Sequence, residues 1–184
     1  MGDPVPAAYP VELEADVPTS IGTVHVRPIL PSDAEALVAF HEALSPQSQY
    51  LRFFTTHPHL SSAEVERFTR VDYDRRMALV AEVDGQLIGV GRYDRLEGSG
   101  EAEVAFVVAD ACQGHGVASL LLRHLAEAAR ARGINWFAAE TLPDNRPMQA
   151  VFRHSGFEMH TTFGDGVVSF RFPITVDVPR PSLA

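Results

Sequence analysis

The stretch Val107-Val108-Ala109-Asp110-Ala111-Cys112-Gln113-Gly114-His115-Gly116-Val117-Ala118 runs from an apolar segment, through two glycines that bracket one residue, into an amphipathic helix pattern. A helix start leaves about four backbone N–H groups unpaired and carries a partial positive charge. Glycines beside it let an anion approach the backbone, which is what a phosphate or pyrophosphate cradle requires. The loop is not a Walker motif, because no Gly-Lys-Ser/Thr follows, and Ser119 stands where a dinucleotide fingerprint needs its third glycine. A tight turn without a ligand has the same pattern. Just upstream, Glu101-Ala102-Glu103-Val104-Ala105-Phe106 alternates, so both glutamates share a strand face opposite Val104, Phe106 and Val108. Carboxylates so placed either act as a base or simply face solvent. Cys112 has no activating base visible in the sequence and reads as structural. His57-Pro58-His59 lacks further clustered ligands and reads as loop, so no metal site is expected.

The elements that must position these residues follow from periodicity. Thr23–Ile29 alternates like a strand. Ser32-Asp33-Ala34-Glu35 has the form of a capping box opening a helix through Leu37, Phe40 and Leu44. Ser45-Pro46 starts a second helix, carrying Tyr50 to Phe54, with proline at its first position. Ser61-Ser62-Ala63-Glu64 caps a third. Met77–Val83 and Gln86–Tyr93 read as strands joined by an Asp84-Gly85 turn, and Glu101–Ala109 as another. Val117–Arg132 is a long helix ended by Gly133, Ile134–Glu140 a strand, Asn145–Ser155 a helix and Gly156–Phe172 a closing hairpin. The order predicts an α/β (α+β) fold, with a mixed, mostly antiparallel sheet of about seven strands and helices on both faces. Residues 1–20, with four prolines, read as a flexible arm; 21–176 as one domain; 177–184 as a tail.

The composition sets limits on function. At 184 residues, 46% hydrophobic and 21% charged, the chain is an ordinary single globular domain. No apolar run reaches the roughly 20 residues of a membrane span. The lone cysteine excludes an internal disulfide, and a cytoplasmic setting is the expectation. A net charge of −9 argues against nucleic acid as partner. All 15 basic residues are arginine, in keeping with a composition also rich in Ala, Gly and Pro.

Gln113-Gly114-His115-Gly116-Val117-Ala118 resembles the Q/R-x-x-G-x-G/A signature of the GNAT acetyltransferase superfamily. Asn145-Arg146-Pro147-Met148 and Phe152-Arg153-His154-Ser155-Gly156-Phe157 resemble that superfamily's second motif. The resemblance covers nearly the whole ordered chain. It implies acetyl-CoA as co-substrate, held by Phe106, Val107 and Val108 along a strand, by Gln113, Gly114, His115, Gly116, Val117 and Ala118 at the loop, and by Asn145, Met148 and Phe152. Ser45 to Phe54, followed by Val71-Asp72-Tyr73-Asp74, resembles bacterial protein lysine acetyltransferases. Those enzymes modify acyl-CoA synthetases, and some carry a cyclic-nucleotide-binding domain. With about 20 residues ahead of the first strand, no such domain is expected in this chain. That resemblance implies a protein lysine acceptor, an acceptor wall from residues 45–75 with Arg52, Phe53, Tyr73 and Glu101 contacting it, and a monomer or homodimer. A small amine is the competing acceptor, and a non-catalytic acyl-CoA sensor the competing function.

Acetyl transfer needs a neutral amine, and near pH 7.4 only about 0.1% of a free lysine is unprotonated. A carboxylate that takes the proton is worth typically 10²–10⁴-fold. Glu103 matches the glutamate base of the lysine acetyltransferases, and partial burial deeper in its strand is expected to tune it, with Glu101 at the rim. Many relatives place a tyrosine where this chain has Phe152, so a side-chain acid for the leaving thiolate is not expected from that position.

Overall fold

The computed structural model describes residues 8–176. Strands β1 (Ala15–Thr19), β2 (Gly22–Pro28), β3 (Arg76–Val83), β4 (Gln86–Arg95), β5 (Glu101–Val108), β6 (Trp136–Thr141), β7 (His160–Gly164) and β8 (Val167–Pro173) form one sheet in the order β1-β2-β3-β4-β5-β6-β8-β7. Every neighbouring pair is antiparallel except β5–β6. Helices α1 (Ala34–Ala43), α2 (Pro46–Phe53) and α3 (Ser62–Thr69) precede β3; α4 (Val117–Arg130) links β5 to β6, and α5 (Arg146–Arg153) follows β6.

Two findings depart from the sequence reading. The sheet has eight strands, because part of the proposed arm is a strand: Ala15–Thr19 pairs with Gly22–Val26 despite Pro18. Proline is tolerated there because β1 is an edge strand, where one row of N–H groups needs no partner. Residues 1–7 of the arm, and the proposed tail at 177–184, lie outside the described residues. Nor does Ser32 cap α1. Asp33 sits at the junction instead, accepting from the Leu30 N–H (2.7 Å) and from both terminal nitrogens of Arg27 (2.8 Å each). Burial pushes the Asp33 carboxyl up, but Arg27 and Leu30 together hold it below the usual carboxylate range. Arg27 also donates to Glu82 at 2.6 Å, pinning β2 to β3 and to the start of α1. The caps expected at Ser45 and Ser61 are present, each serine accepting from the N–H three residues on.

Alternation sorts the sheet's side chains onto two cores. Val104, Phe106 and Val108 join Leu120, Leu121 and Leu125 of α4 on one face; Ala78, Val80 and Val90 join Leu37 and Phe40 of α1 on the other. Burying each leucine contributes roughly 1.5–3 kcal/mol. The height of α4 above the sheet is set by a glycine. A Cβ on Gly91 would lie 2.8 Å from Phe106 and 3.1 Å from Leu125, so only glycine lets α4 settle this close. That packing fixes where the N-terminus of α4 meets the end of β5.

Candidate active site

Strands β5 and β6 pair only at Glu101↔Trp136, Ala102↔Phe137 and Glu103↔Ala138. Beyond Glu103 they part: β5 stays on β4 as far as Val108, and β6 runs on with β8. The split opens into a cavity of about 410 Å³. Phe106, Val107 and Val108 line one side, and Asn145, Met148, Val151 and His154 the other. Gln113, Gly114 and Gly116 to Ser119 close the end, while Ser48, Leu51 and Arg52 of α2 cover it.

The closing loop has the features that an anion cradle requires. Gly114 and Gly116 have φ of +78° and +81°, and a Cβ on either would meet no atom within 4 Å. Gly116 is the N-cap of α4 and offers no side chain. The N–H groups of Val117, Ala118 and Ser119 therefore lack helical acceptors, and these three residues border the cavity. Asn145 caps α5 by accepting from the Met148 N–H at 3.2 Å.

A polar latch ties α2 to this loop. The backbone N–H and hydroxyl of Ser45 donate to Asp110 at 2.9 and 2.6 Å, and the Ser48 hydroxyl donates at 2.8 Å. Gln113 donates to the Ser48 hydroxyl and to the Val108 carbonyl, both at 3.1 Å. Burial raises the Asp110 carboxyl, but these hydrogen bonds hold it below its ordinary value. Nothing in the sequence signalled the latch beyond a serine spaced to cap a helix.

The structure distributes the carboxylates differently from expectation. Glu101 is the half-buried one, accepting from Arg171 Nε at 3.0 Å, with that guanidinium stacked 4.0 Å from the Trp136 ring. Glu103 is exposed, and the partial burial expected of it belongs to Glu101. It lies on the face covered by α1–α3, at the last paired position before the split, directly across from Asp94. Asp94 faces Arg76 at 3.3 Å and Arg67 at 3.9 Å. Glu103 closes no ion pair among the described residues and is left with the longer-range attraction of Arg52.

Other expected site residues are placed as follows. Arg52 lines the main cavity and, with Phe53, a smaller one of about 30 Å³ on the α1–α3 face. Phe53 stacks on His57 at 4.3 Å between ring centroids. His115 sits exposed on the loop, bonded to Ser20 at 3.1 Å. Phe152 and Tyr73 line neither cavity, and neither do His115, Glu101 and Glu103. Phe152 is 1% exposed, packed against Phe106, Phe170 and Phe172, because it falls on the core side of α5 while Val151 and His154 face the cavity. Tyr73 is buried with its hydroxyl donating to the Ile29 carbonyl at 2.8 Å, joining the loop before β3 to β2. Among residues not singled out from sequence, Arg92 lines the smaller cavity; its signal was an arginine within the apolar run Leu87 to Tyr93.

Residues 38–157 match the Acetyltransferase (GNAT) family. The chain belongs to that family. It is similar to an acetyltransferase of Pseudomonas aeruginosa, 33% identical over 73% of this chain and 74% of the relative. It is also similar to Acetyltransferase Pat of Mycolicibacterium smegmatis, 32% identical over 72% of this chain, and spans 40% of that protein's length. Among solved structures, the GNAT domain of S. lividans PAT superposes with a TM-score of 0.85 at 48% identity, covering 90% of this chain and 99% of that one. GNAT-fold enzymes use acetyl-CoA as co-substrate, and the residues present here fit that molecule. The uncapped α4 N-terminus and its two glycines suit the pyrophosphate, and the unpaired edge of β5 suits an amide-bearing arm.

Proposed function

We propose that this GNAT enzyme transfers acetyl from acetyl-CoA to the side-chain amine of a lysine in a protein such as an acyl-CoA synthetase, with Glu103 as the general base. The observation that carries the reading is the state of Glu103. Of the three carboxylates around the start of the split, Glu101 and Asp94 are held by arginines and Glu103 is free. The bound thioester supplies the electrophilic carbonyl. Glu103 accepts the ammonium proton, directly or through one water, so that the neutral nitrogen can attack. The backbone N–H groups of Val117, Ala118 and Ser119 hold the pyrophosphate, and α2, latched by Asp110, covers the acyl arm. Phe152 has no proton to give and is sealed in the core, so the leaving thiolate takes its proton from solvent or a nearby hydroxyl. The protein acceptor is supported by the resemblance of residues 45–54 and 71–74 to bacterial lysine acetyltransferases, and by the likeness to Pat proteins over most of the chain.

The test is CoA-thiol release from acetyl-CoA with and without an acyl-CoA synthetase, in wild type and Glu103→Gln. Release that depends on the synthetase and falls about 10²–10⁴-fold in the variant, with acetyl-CoA binding retained, is the expected result. Release from small amines alone would transfer the assignment to that acceptor class. Undiminished turnover in Glu103→Gln would remove the base from the mechanism.

A further inference from the structure

The α1–α3 face of the sheet holds two guanidiniums that close no ion pair among the described residues: Arg52, drawn only at longer range by Glu103 and Asp94, and Arg92, drawn at longer range by Asp94. Arg92 is 9% exposed in the middle of β4, among Leu37, Phe40, Leu60 and Val90. Its guanidinium lies over the ring of Phe68, 4.4 Å away. Arg52 lies over Phe53 at 4.8 Å. Among the described residues neither donates a hydrogen bond or closes an ion pair. Burial pulls both below the ordinary arginine value, and for Arg92 the positive charge of Arg52 adds to the effect. The nearby Asp94 is engaged by Arg76 and Arg67. Buried charges are ordinarily paired, because an isolated ion loses its hydration and gains nothing. Here Glu103 and Asp94 act only at longer range, and among the described residues no carboxylate closes on either guanidinium.

We propose that Arg52 and Arg92 form a carboxylate subsite for the acceptor, so that the enzyme selects amines accompanied by an acidic group. The cavity that both residues line is small, about 30 Å³, room for one or two waters or a group of similar size. Guanidinium forks match carboxylate geometry. Position supports the acceptor over the cofactor as the source. Arg92 lines this smaller cavity and not the larger one, and lies across from Ala105, two residues from Glu103 on the same face, on the order of 7 Å along the strand. That separation suits a lysine whose neighbouring Asp or Glu enters the subsite, rather than an α-amino acid with carboxylate and amine on one carbon. The inference rests on the acetyl-transfer reading for its identification of this face as the acceptor side.

The test uses acetyl-lysine peptides carrying Glu, or Gln in a matched set, at each of four positions on either side. Their binding to the full chain saturated with CoA is measured by calorimetry. At least one Glu peptide should bind tenfold or more tightly than its Gln twin in wild type. The difference should vanish in Arg92→Gln, with acetyl-CoA affinity unchanged, and shrink in Arg52→Gln. If Arg92→Gln fails to fold by its melting curve, the half-exposed Arg52→Gln decides. No discrimination at any position in wild type, including no binding of either set, overturns the subsite, as does a preference that survives both substitutions. Acetyl transfer to the unacetylated peptides is followed in parallel. Discrimination without transfer defeats the lysine reading and leaves the subsite standing, and transfer without discrimination does the reverse.

Discussion

The glycine cradle permits a paired test in which folding and binding separate. Gly116 at the head of α4 and Gly133 beyond its end have φ of +81° and +73°, and a Cβ on either meets no protein atom within 4 Å. Alanine in that left-handed region costs about 1–2 kcal/mol. In a chain of this size each kcal/mol lowers Tm by roughly 2–4 °C, so Gly116→Ala and Gly133→Ala should each melt about 2–8 °C below wild type. Their effect on acetyl-CoA should differ. At Gly133 nothing borders the cavity, and Kd should stay within a factor of two or so of wild type. At Gly116 the methyl intrudes beside the N–H groups of Val117 and Ala118, and losing one hydrogen bond to a charged oxygen, about 1.5–3 kcal/mol, raises Kd about ten- to a hundredfold. Differential scanning calorimetry and a fluorescent CoA displacement titration read the two quantities. Equal Kd values for the two variants would refute the assignment of the loop as the anion cradle, however the melting temperatures fell.

Phe152→Tyr should remain active in the thiol-release assay while melting about 2–12 °C lower, because the new hydroxyl enters a ring cluster without a partner, at about 1–3 kcal/mol. Asp110→Ala should leave the fold intact and weaken acetyl-CoA severalfold by releasing Ser45 and Ser48, read as a rise in Kd larger than any fall in Tm explains. Asp33 and Asp110 are both held below their unfolded values. Their stabilisation is therefore present above about pH 4 and lost as pH falls through the lower folded values. Melting curves taken down to about pH 2 should show that loss, and Asp33→Asn should flatten it.

Much of this was legible in the chain because it is local. Alternation around Val104, Phe106 and Val108 and the helical stripe through Leu120, Leu121 and Leu125 report one buried face each, and Gly114 and Gly116 announce a left-handed turn before a helix. What escaped was set by distant partners. Residues 15–19 are a strand only because β2 pairs with them, and four prolines nearby hid it. Ser32 lost its cap role to Asp33, whose attraction to Arg27 no local pattern contains. Glu101 and Glu103 are equivalent by alternation; Arg171, from a strand 70 residues on, covers one and leaves the other open. Phe152 fits the family's second motif, yet the turn of α5 puts its ring in the core.

The parting of β5 from β6 bears on how long the protein survives. From Val104 onward, β5 presents an edge to which no strand is joined, in the centre of the sheet rather than at its rim. Gln113 covers only the Val108 carbonyl. Such an edge is a weak point for local opening, and whatever hydrogen-bonds to it closes the breach. Occupancy by acetyl-CoA at a hundred times its Kd would add about 2.7 kcal/mol to the folded state. The size of the cell's acetyl-CoA pool would then set the enzyme's resistance to proteolysis as well as its rate, so that starved cells would clear the idle enzyme faster than fed ones.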